Sequence, residues 1–178
     1  MLFGCEAFEI QIMTAMHNWL QSDFMDFVMR FISEIGNEGA VWIVTALILI
    51  SKRKYRVLGL ELAFGLLLGL ILGNFVLKNV IARPRPCWIF ENINMLIDVP
   101  RDYSFPSGHT LSSFTSAFIL LSEDRRMGVG AIILAVLMAL SRIYLFVHFP
   151  TDILGSIVLS SLIFAGLRVF LIKRNASV

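Results

Sequence analysis

GVGAIILAVLMALSRIYLFVHFPTDILGSIVLSSLIFAGLRVFLI, residues 128–172, holds two apolar runs, Gly128–Val147 and Ile153–Ile172, parted only by the link His148-Phe149-Pro150-Thr151-Asp152. Crossing the hydrocarbon of a bilayer as a helix takes about 20 predominantly apolar residues, and each run meets that length. The whole chain is 57% hydrophobic and 16% charged, against about a quarter charged in an average soluble domain. So much apolar side chain in so short a chain cannot be hidden in a soluble core. The stretch therefore reads as a membrane hairpin with a polar turn at one face.

Working outward, Val57–Leu77 is a third span, tolerating Glu61 and Asn74, and Glu38–Ile50 and His109–Leu121 are shorter ones. The charged loops beside these two leave the chain no other place to cross. Small and hydroxylated residues let membrane helices approach closely, so the Ser/Thr-studded His109–Leu121 belongs in the bundle interior. Before Glu38 the pattern changes. Phe8, Ile12, Met16 and Trp19 recur at helical spacing, with Gln11, Thr14, Asn18 and Gln21 on another stripe, which reads as an amphipathic helix in the membrane interface. Phe24–Ile35 is a second short helix, stopped by the turn Gly36-Asn37-Glu38-Gly39. The expected fold is all-α: a polytopic transmembrane bundle of five spans, residues 38–178, preceded by an interfacial helical region, residues 1–37. A six-span count is the alternative and needs the N-terminal region to cross.

Short loops rich in Lys and Arg mark the cytoplasmic side. Under a five-span count Ser51–Arg56, Glu123–Arg126 and the tail pair Lys173-Arg174 share one side. The acidic N-terminal region, the long loop from Lys78 to Gly108 and the His148–Asp152 link then share the outer side. Glu6 and Glu9 stand where the basic stretch of a cleavable signal would be, so insertion is expected to rest on the spans themselves. The net charge of +2 is too small to point to a nucleic-acid partner. Two cysteines, Cys5 and Cys87, make neither a disulfide framework nor a metal site. His17 and the three Trp residues read as interfacial.

Three polar clusters fall at the outer face: Lys78 with Arg85-Pro86 after six intervening residues, Pro106-Ser107-Gly108-His109, and Ser141-Arg142 followed by His148 and Asp152. Each has a bland reading alone. Lys78 at a helix end can snorkel, Pro84 and Pro86 can stiffen a loop, Ser107 can cap a helix, and His148 with Asp152 can be a structural pair. Arg142 is harder to dismiss, since an ionisable residue within a span is costly and faces a polar interior. Together they gather cations around two imidazoles at one end of the bundle, which is what a tetrahedral oxyanion requires. The start of the helix after Ser107 would add backbone N–H donors. Chemically, one neutral His can attack phosphorus while the other, protonated, serves the leaving oxygen. Asp152 is the natural orienter of His148. No carboxylate cluster in the spans or these motifs suggests a metal, and no cofactor is expected.

In order and spacing these clusters resemble the tripartite signature of the type 2 phosphatidic acid phosphatase superfamily, over Leu58 to the C-terminus. The resemblance implies His148 as nucleophile forming a phosphohistidine, His109 as acid to the leaving group and Asp152 as orienter of His148. It also implies Lys78, Arg85, Ser107, Gly108 and Arg142 as the phosphate-binding set, with Arg83 outside the fixed positions and expected only in a supporting role. The implied substrate is a lipid phosphate or diphosphate in a bacterial cytoplasmic membrane, met on the extracytoplasmic face. Undecaprenyl diphosphate comes first, with phosphatidylglycerophosphate and phosphatidic acid as alternatives. A lipid phosphotransferase shares the first half-reaction, and a lipid-phosphate binding or translocating protein is the non-enzymatic alternative.

Overall fold

A computed structural model describes residues 4–90 and 93–176, with side chains to residue 170. Among these residues the architecture is helical throughout, without strands. Helix α1 (Glu6–Leu20) and α2 (Asp23–Ile35) precede α3 (Ala40–Ser51). Helix α4 (Arg56–Gly69) continues through a π-helical stretch, Leu70–Leu77, into the short α5 (Lys78–Ile81). After α6 (Pro86–Ile89) and a long irregular loop come α7 (Gly108–Glu123), α8 (Arg125–Tyr144) and α9 (Pro150–Ala176). Three helical stretches are long and apolar enough to cross a membrane: Arg53–Ile89, Arg125–Tyr144 and Pro150–Phe170. A fourth crossing is available if α2 and α3, bent by 47° at their junction, count as one broken span.

Helix α7 is too polar to qualify by composition, and its surroundings explain why that is tolerated. Thr110, Ser113, Thr115 and Ser116 are fully buried, and their hydroxyls find partners inside the bundle or lie against neighbouring helices. Trp42 Nε1 donates to Ser113 Oγ at 2.9 Å, and Ser116 Oγ donates to the Ser112 carbonyl at 2.7 Å. The helix packs on α8, α9 and α4. Its apolar residues Leu111, Phe114, Ile119 and Leu120 join Leu62, Ala135 and Ile163 in the main core. Conversely Val57, Leu60, Val158 and Leu162 are exposed on the bundle surface, as side chains facing lipid should be.

The Gly36–Gly39 turn forms as expected. Glu38 and Gly39 both adopt left-handed backbone, φ 51° and 68°, and this breaks α2 from α3. The Met127 and Arg126 N–H groups that Asp124 caps hold its carboxyl below its ordinary pKa, and the charges of Arg126 and, from the other basic loop, Lys54 add to this. The two basic loops therefore share one end of the bundle; Lys173 and Arg174 lie outside the residues whose side chains are described. Cys5 and Cys87 are both free thiols.

Helix α1 uses a face other than the two sequence stripes. Phe8, Ile12 and Trp19 are exposed, whereas Glu6, Glu9 and Met13 are buried. The reason is electrostatic: the two carboxylates meet Arg83, which is itself wholly buried. His17 on the same helix lies 4.6 Å from the Tyr144 ring, centroid to centroid, and its Nδ1 is 3.3 Å from the Tyr144 carbonyl. Helix α1 thereby covers the turn between α8 and α9.

Candidate active site

The end of the bundle opposite the basic loops gathers most of the residues singled out from the sequence. The π-helical stretch before Lys78 changes the turn of the helix and delivers that side chain into the bundle, 7% exposed. Ala82, in left-handed backbone with φ 48°, then ends the helix and turns the chain toward Arg83 and Arg85. Between α8 and α9 the chain reverses through Phe146, also left-handed with φ 56°. This tight turn brings His148 back beneath Arg142, whose carbonyl accepts from the His148 N–H at 3.4 Å.

Arg85 is the hub. Its Nη1 donates to the Val147 carbonyl at 2.7 Å and sits 3.1 Å from His148 Nε2. A guanidinium has no acceptor, so Nε2 must carry the lone pair and the neutral ring its hydrogen on Nδ1. Burial first, then the charges of Arg85 and Arg142, hold the His148 imidazole well below its ordinary pKa. His148 is thus a neutral base whose lone pair points into a cluster of cations. Across the cavity, His109 Nε2 lies 3.0 Å from the Ser33 carbonyl and 3.1 Å from Asn37 Oδ1. Both are acceptors, which puts the hydrogen of a neutral His109 on Nε2. Arg142 Nη1 donates to Ser33 Oγ.

His148, His109, Arg142, Lys78, Arg85 and Gly108 line one cavity of about 920 Å³. The cavity continues between α3 and α4 past Ile43, Leu47 and Ile50, whose seven-residue separation is about 10 Å of helix rise into the apolar bundle. Ser107 and Asp152 stand behind the wall. Ser107 Oγ caps α7 by accepting from Thr110 N at 3.4 Å, and its own N–H donates to Ser156 Oγ at 2.8 Å. Asp152 Oδ2 lies 3.7 Å from His148 Nδ1, an electrostatic contact beyond hydrogen-bond reach. It accepts instead from Ser104 Oγ and, at 2.8 Å, from Phe149 N.

Sequence reasoning missed several contributors. Arg83, expected only in a supporting role outside the fixed positions, donates to Asp152 Oδ1 at 2.5 Å, Thr151 Oγ1 at 2.7 Å and Glu9 Oε2 at 2.7 Å. Its guanidinium also lies 4.1 Å from the centroid of the Phe149 ring. Glu9 Oε1 meanwhile accepts from the Thr151 N–H and hydroxyl. Asp102, from the irregular loop, accepts from Lys78 Nζ and, at 2.7 Å, from Arg85 Nη2. Burial pushes its carboxyl upward, but the Lys78 hydrogen bond and the Arg85 charge outweigh that and hold it far below the usual carboxylate range. The only sequence signals for these residues were paired acids at the start of α1 and a lone Asp five residues before Ser107.

Apolar helices long enough to cross a membrane, with buried cations gathered around two imidazoles at one end, define a class: membrane helical bundles with a polar cavity at one end. Residues 58–176 match the sequence model of the PAP2 superfamily, and the chain belongs to that family. It is 40% identical over 146 residues to an undecaprenyl-diphosphatase of Sulfolobus acidocaldarius, covering 81% of this chain and 69% of that protein. It is 30% identical over 139 residues to an undecaprenyl-diphosphatase of Bacillus subtilis, covering 78% and 71%. In three dimensions it resembles the crystal structure of a transmembrane PAP2-type phosphatidylglycerolphosphate phosphatase from Bacillus subtilis. The TM-score is 0.76 at 27% identity, covering 96% of this chain and 88% of that one.

Proposed function

We propose that this chain is a five-span membrane phosphatase that hydrolyses undecaprenyl diphosphate to undecaprenyl phosphate through a phosphohistidine on His148. The observation that carries the reading is the contact of Arg85 Nη1 with His148 Nε2. It leaves the nucleophilic lone pair facing the cations that would hold the terminal phosphate. Nε2 attacks phosphorus as the P–O bond to the lipid phosphate breaks, and a lipid phosphate departs as the anion; where the leaving group is an alkoxide, His109 must first take up a proton from solvent and then passes it to the departing oxygen. Water then attacks the phosphohistidine, releasing inorganic phosphate and restoring the neutral ring. Lys78, Arg85 and Arg142 neutralise the equatorial oxygens, with the Gly108 N–H and the α7 dipole adding to them. Ser107 shapes that helix start. Asp152, short of a hydrogen bond to Nδ1 here, orients His148 and balances the charge that develops on it. Cations perform the electrostatic work a metal would otherwise do, so catalysis is metal-independent.

The substrate assignment rests on the undecaprenyl-diphosphatases named above, and the apolar continuation of the cavity suits a lipid tail. The likeness to the phosphatidylglycerolphosphate phosphatase favours a monoester lipid as second reading. With basic loops on the inner side, the site faces outward from a bacterial cytoplasmic membrane, and residues 1–37 form an interfacial region bound onto the transmembrane core, residues 38–178. The test is phosphate release from purified undecaprenyl diphosphate, phosphatidylglycerophosphate and phosphatidic acid, with EDTA present. Wild type should act on the diphosphate, and His148→Ala should be inactive on all three. His109→Ala should keep more activity on the diphosphate than on the monoesters, because a lipid phosphate leaves without a proton more readily than an alkoxide. Activity lost on chelation refutes the metal-free mechanism, and activity confined to the monoesters moves the assignment to the second reading.

A further inference from the structure

Two of the three cations assigned to phosphate already hold an anion, and it belongs to the chain. Lys78 and Arg85 converge on the Asp102 carboxylate, one on each oxygen, and Arg85 Nε also donates to the Asp102 carbonyl at 2.7 Å. The burial is uneven. The side chains of Lys78 and Arg85 are 9% and 3% exposed, that of Asp102 53%. The cations are fixed in the wall, and the carboxylate reaches them from an exposed, irregular loop. That loop is tethered independently of Asp102 on either side: the Ser104 N–H donates to the Arg83 carbonyl at 2.8 Å, and Trp88 Nε1 donates to the Pro100 carbonyl at 3.1 Å. The carboxylate can therefore swing out without the loop losing its anchors.

We propose that Asp102 is a built-in competitor for the phosphate seat, holding Lys78 and Arg85 until an incoming phosphate displaces its carboxylate. This rests on the reading of Lys78 and Arg85 as phosphate ligands. A carboxylate offers two acceptor oxygens to the same donors that two phosphate oxygens would use. While it is seated, Arg142 alone of the three cations remains for an incoming anion. Apparent affinity for any phosphate is then the intrinsic affinity scaled by the fraction of molecules with Asp102 out. The penalty is equal for substrate and product, but a lipid substrate also has its tail in the apolar part of the cavity, whereas free phosphate has no second attachment. Asp102 thus favours release of inorganic phosphate, and it keeps two buried cations paired between turnovers.

Direct binding of inorganic phosphate to the purified full chain in detergent, by titration calorimetry, tests this without turnover. Asp102→Asn keeps the shape and removes the charge; it should bind phosphate at least about tenfold more tightly than wild type, and Asp102→Ala should do likewise. Phosphate binding no tighter in either folded variant overturns the proposal and leaves Asp102 a mere loop latch. Should neither variant fold, the wild type labelled with 13C-aspartate decides: phosphate must shift an aspartate carboxylate stretch in the infrared difference spectrum, and no shift overturns it. A wild type that binds phosphate but releases none from any lipid refutes the enzymatic reading and leaves this test standing.

Discussion

Replacing Arg83 by Met should do more damage than replacing any surface cation, and the structure sets the scale. The guanidinium is wholly buried and bonded to Asp152 and Glu9, with Glu6 Oε1 at 3.8 Å. Met keeps much of the volume but leaves those carboxylates without their cation. Removing one partner of a buried ion pair costs about 3–5 kcal/mol, because a charge is left buried and uncompensated. For a chain of this size each kcal/mol lowers the melting midpoint by about 2–4 °C, so Arg83→Met should melt about 6–20 °C lower, read by thermal unfolding in detergent. Adding Glu9→Gln should recover part of that loss, since it removes one of the stranded carboxylates. Phosphate release should fall in Arg83→Met even well below its melting point, as Asp152 loses the group that fixes Oδ1. A single variant melting within about 2 °C of wild type would refute the charge argument, as would a double variant whose loss is the sum of the two single losses.

Gly36 abuts the other imidazole: a Cβ there would meet His109 Cδ2 at 2.8 Å and Met138 Sδ at 3.0 Å. Its backbone, φ −88° and ψ −7°, suits alanine, so Gly36→Ala should fold yet displace the His109 ring. Turnover on a monoester lipid should drop about tenfold, because a displacement of roughly 1 Å at a reacting group can cost more than that; unchanged turnover would show that the ring relaxes freely. The pH profile follows from His148. Its depressed pKa keeps the ring neutral, so the acid limb of kcat/KM should lie below the ordinary histidine value of about 6.5. Arg85→Gln, which removes the second cause of the shift after burial, should weaken activity and move that limb upward. A limb at or above pH 6.5 in the wild type would contradict the geometry. For stability the sign is the same: the unfolded chain protonates this His as pH falls below about 6.5 while the folded chain does not. Its contribution is therefore complete above that pH and is lost toward the depressed folded value.

Features set by local pattern were legible in the sequence. The Gly36–Gly39 turn and the inward packing of the Ser/Thr-rich α7 follow from residue types at fixed spacing. Lys78, Arg85, Arg142 and both imidazoles could be brought to one end because helix lengths and loop charges fix which ends meet. The partners of those groups were not legible. Glu9 and Arg83 are 74 residues apart and pair across the fold, and Asp102 lies in a loop with no periodicity to aim it. In the sequence the acids of α1 signal only the lack of a basic stretch, whereas in the fold they neutralise a buried Arg. The π-helical stretch ahead of Lys78 left no mark in an apolar run that any helix would fit.

The charges divide around His148 in a way that bears on how the proposed reaction would begin. On the Nε2 side stand Arg85, Lys78 and Arg142, an excess of positive charge answered in part by Asp102. On the Nδ1 side stand Asp152, Glu9 and Glu6, an excess of negative charge answered by Arg83. A neutral imidazole between them is polarised with its hydrogen toward the carboxylates and its lone pair toward the cations. In the resting arrangement that lone pair is covered by Arg85 Nη1, so the attack proposed above would require Arg85 to turn from Nε2 onto a phosphate oxygen. Asp102, through its carboxylate and main-chain carbonyl, holds Arg85 in its resting pose together with the Val147 carbonyl. Arrival of a phosphate that displaces this carboxylate would remove one of the bonds that hold Arg85 and offer its Nη2 a phosphate oxygen instead, a first step toward uncovering the proposed nucleophile. A fully buried base set against unpaired cations would otherwise be an unstable way to keep a histidine waiting.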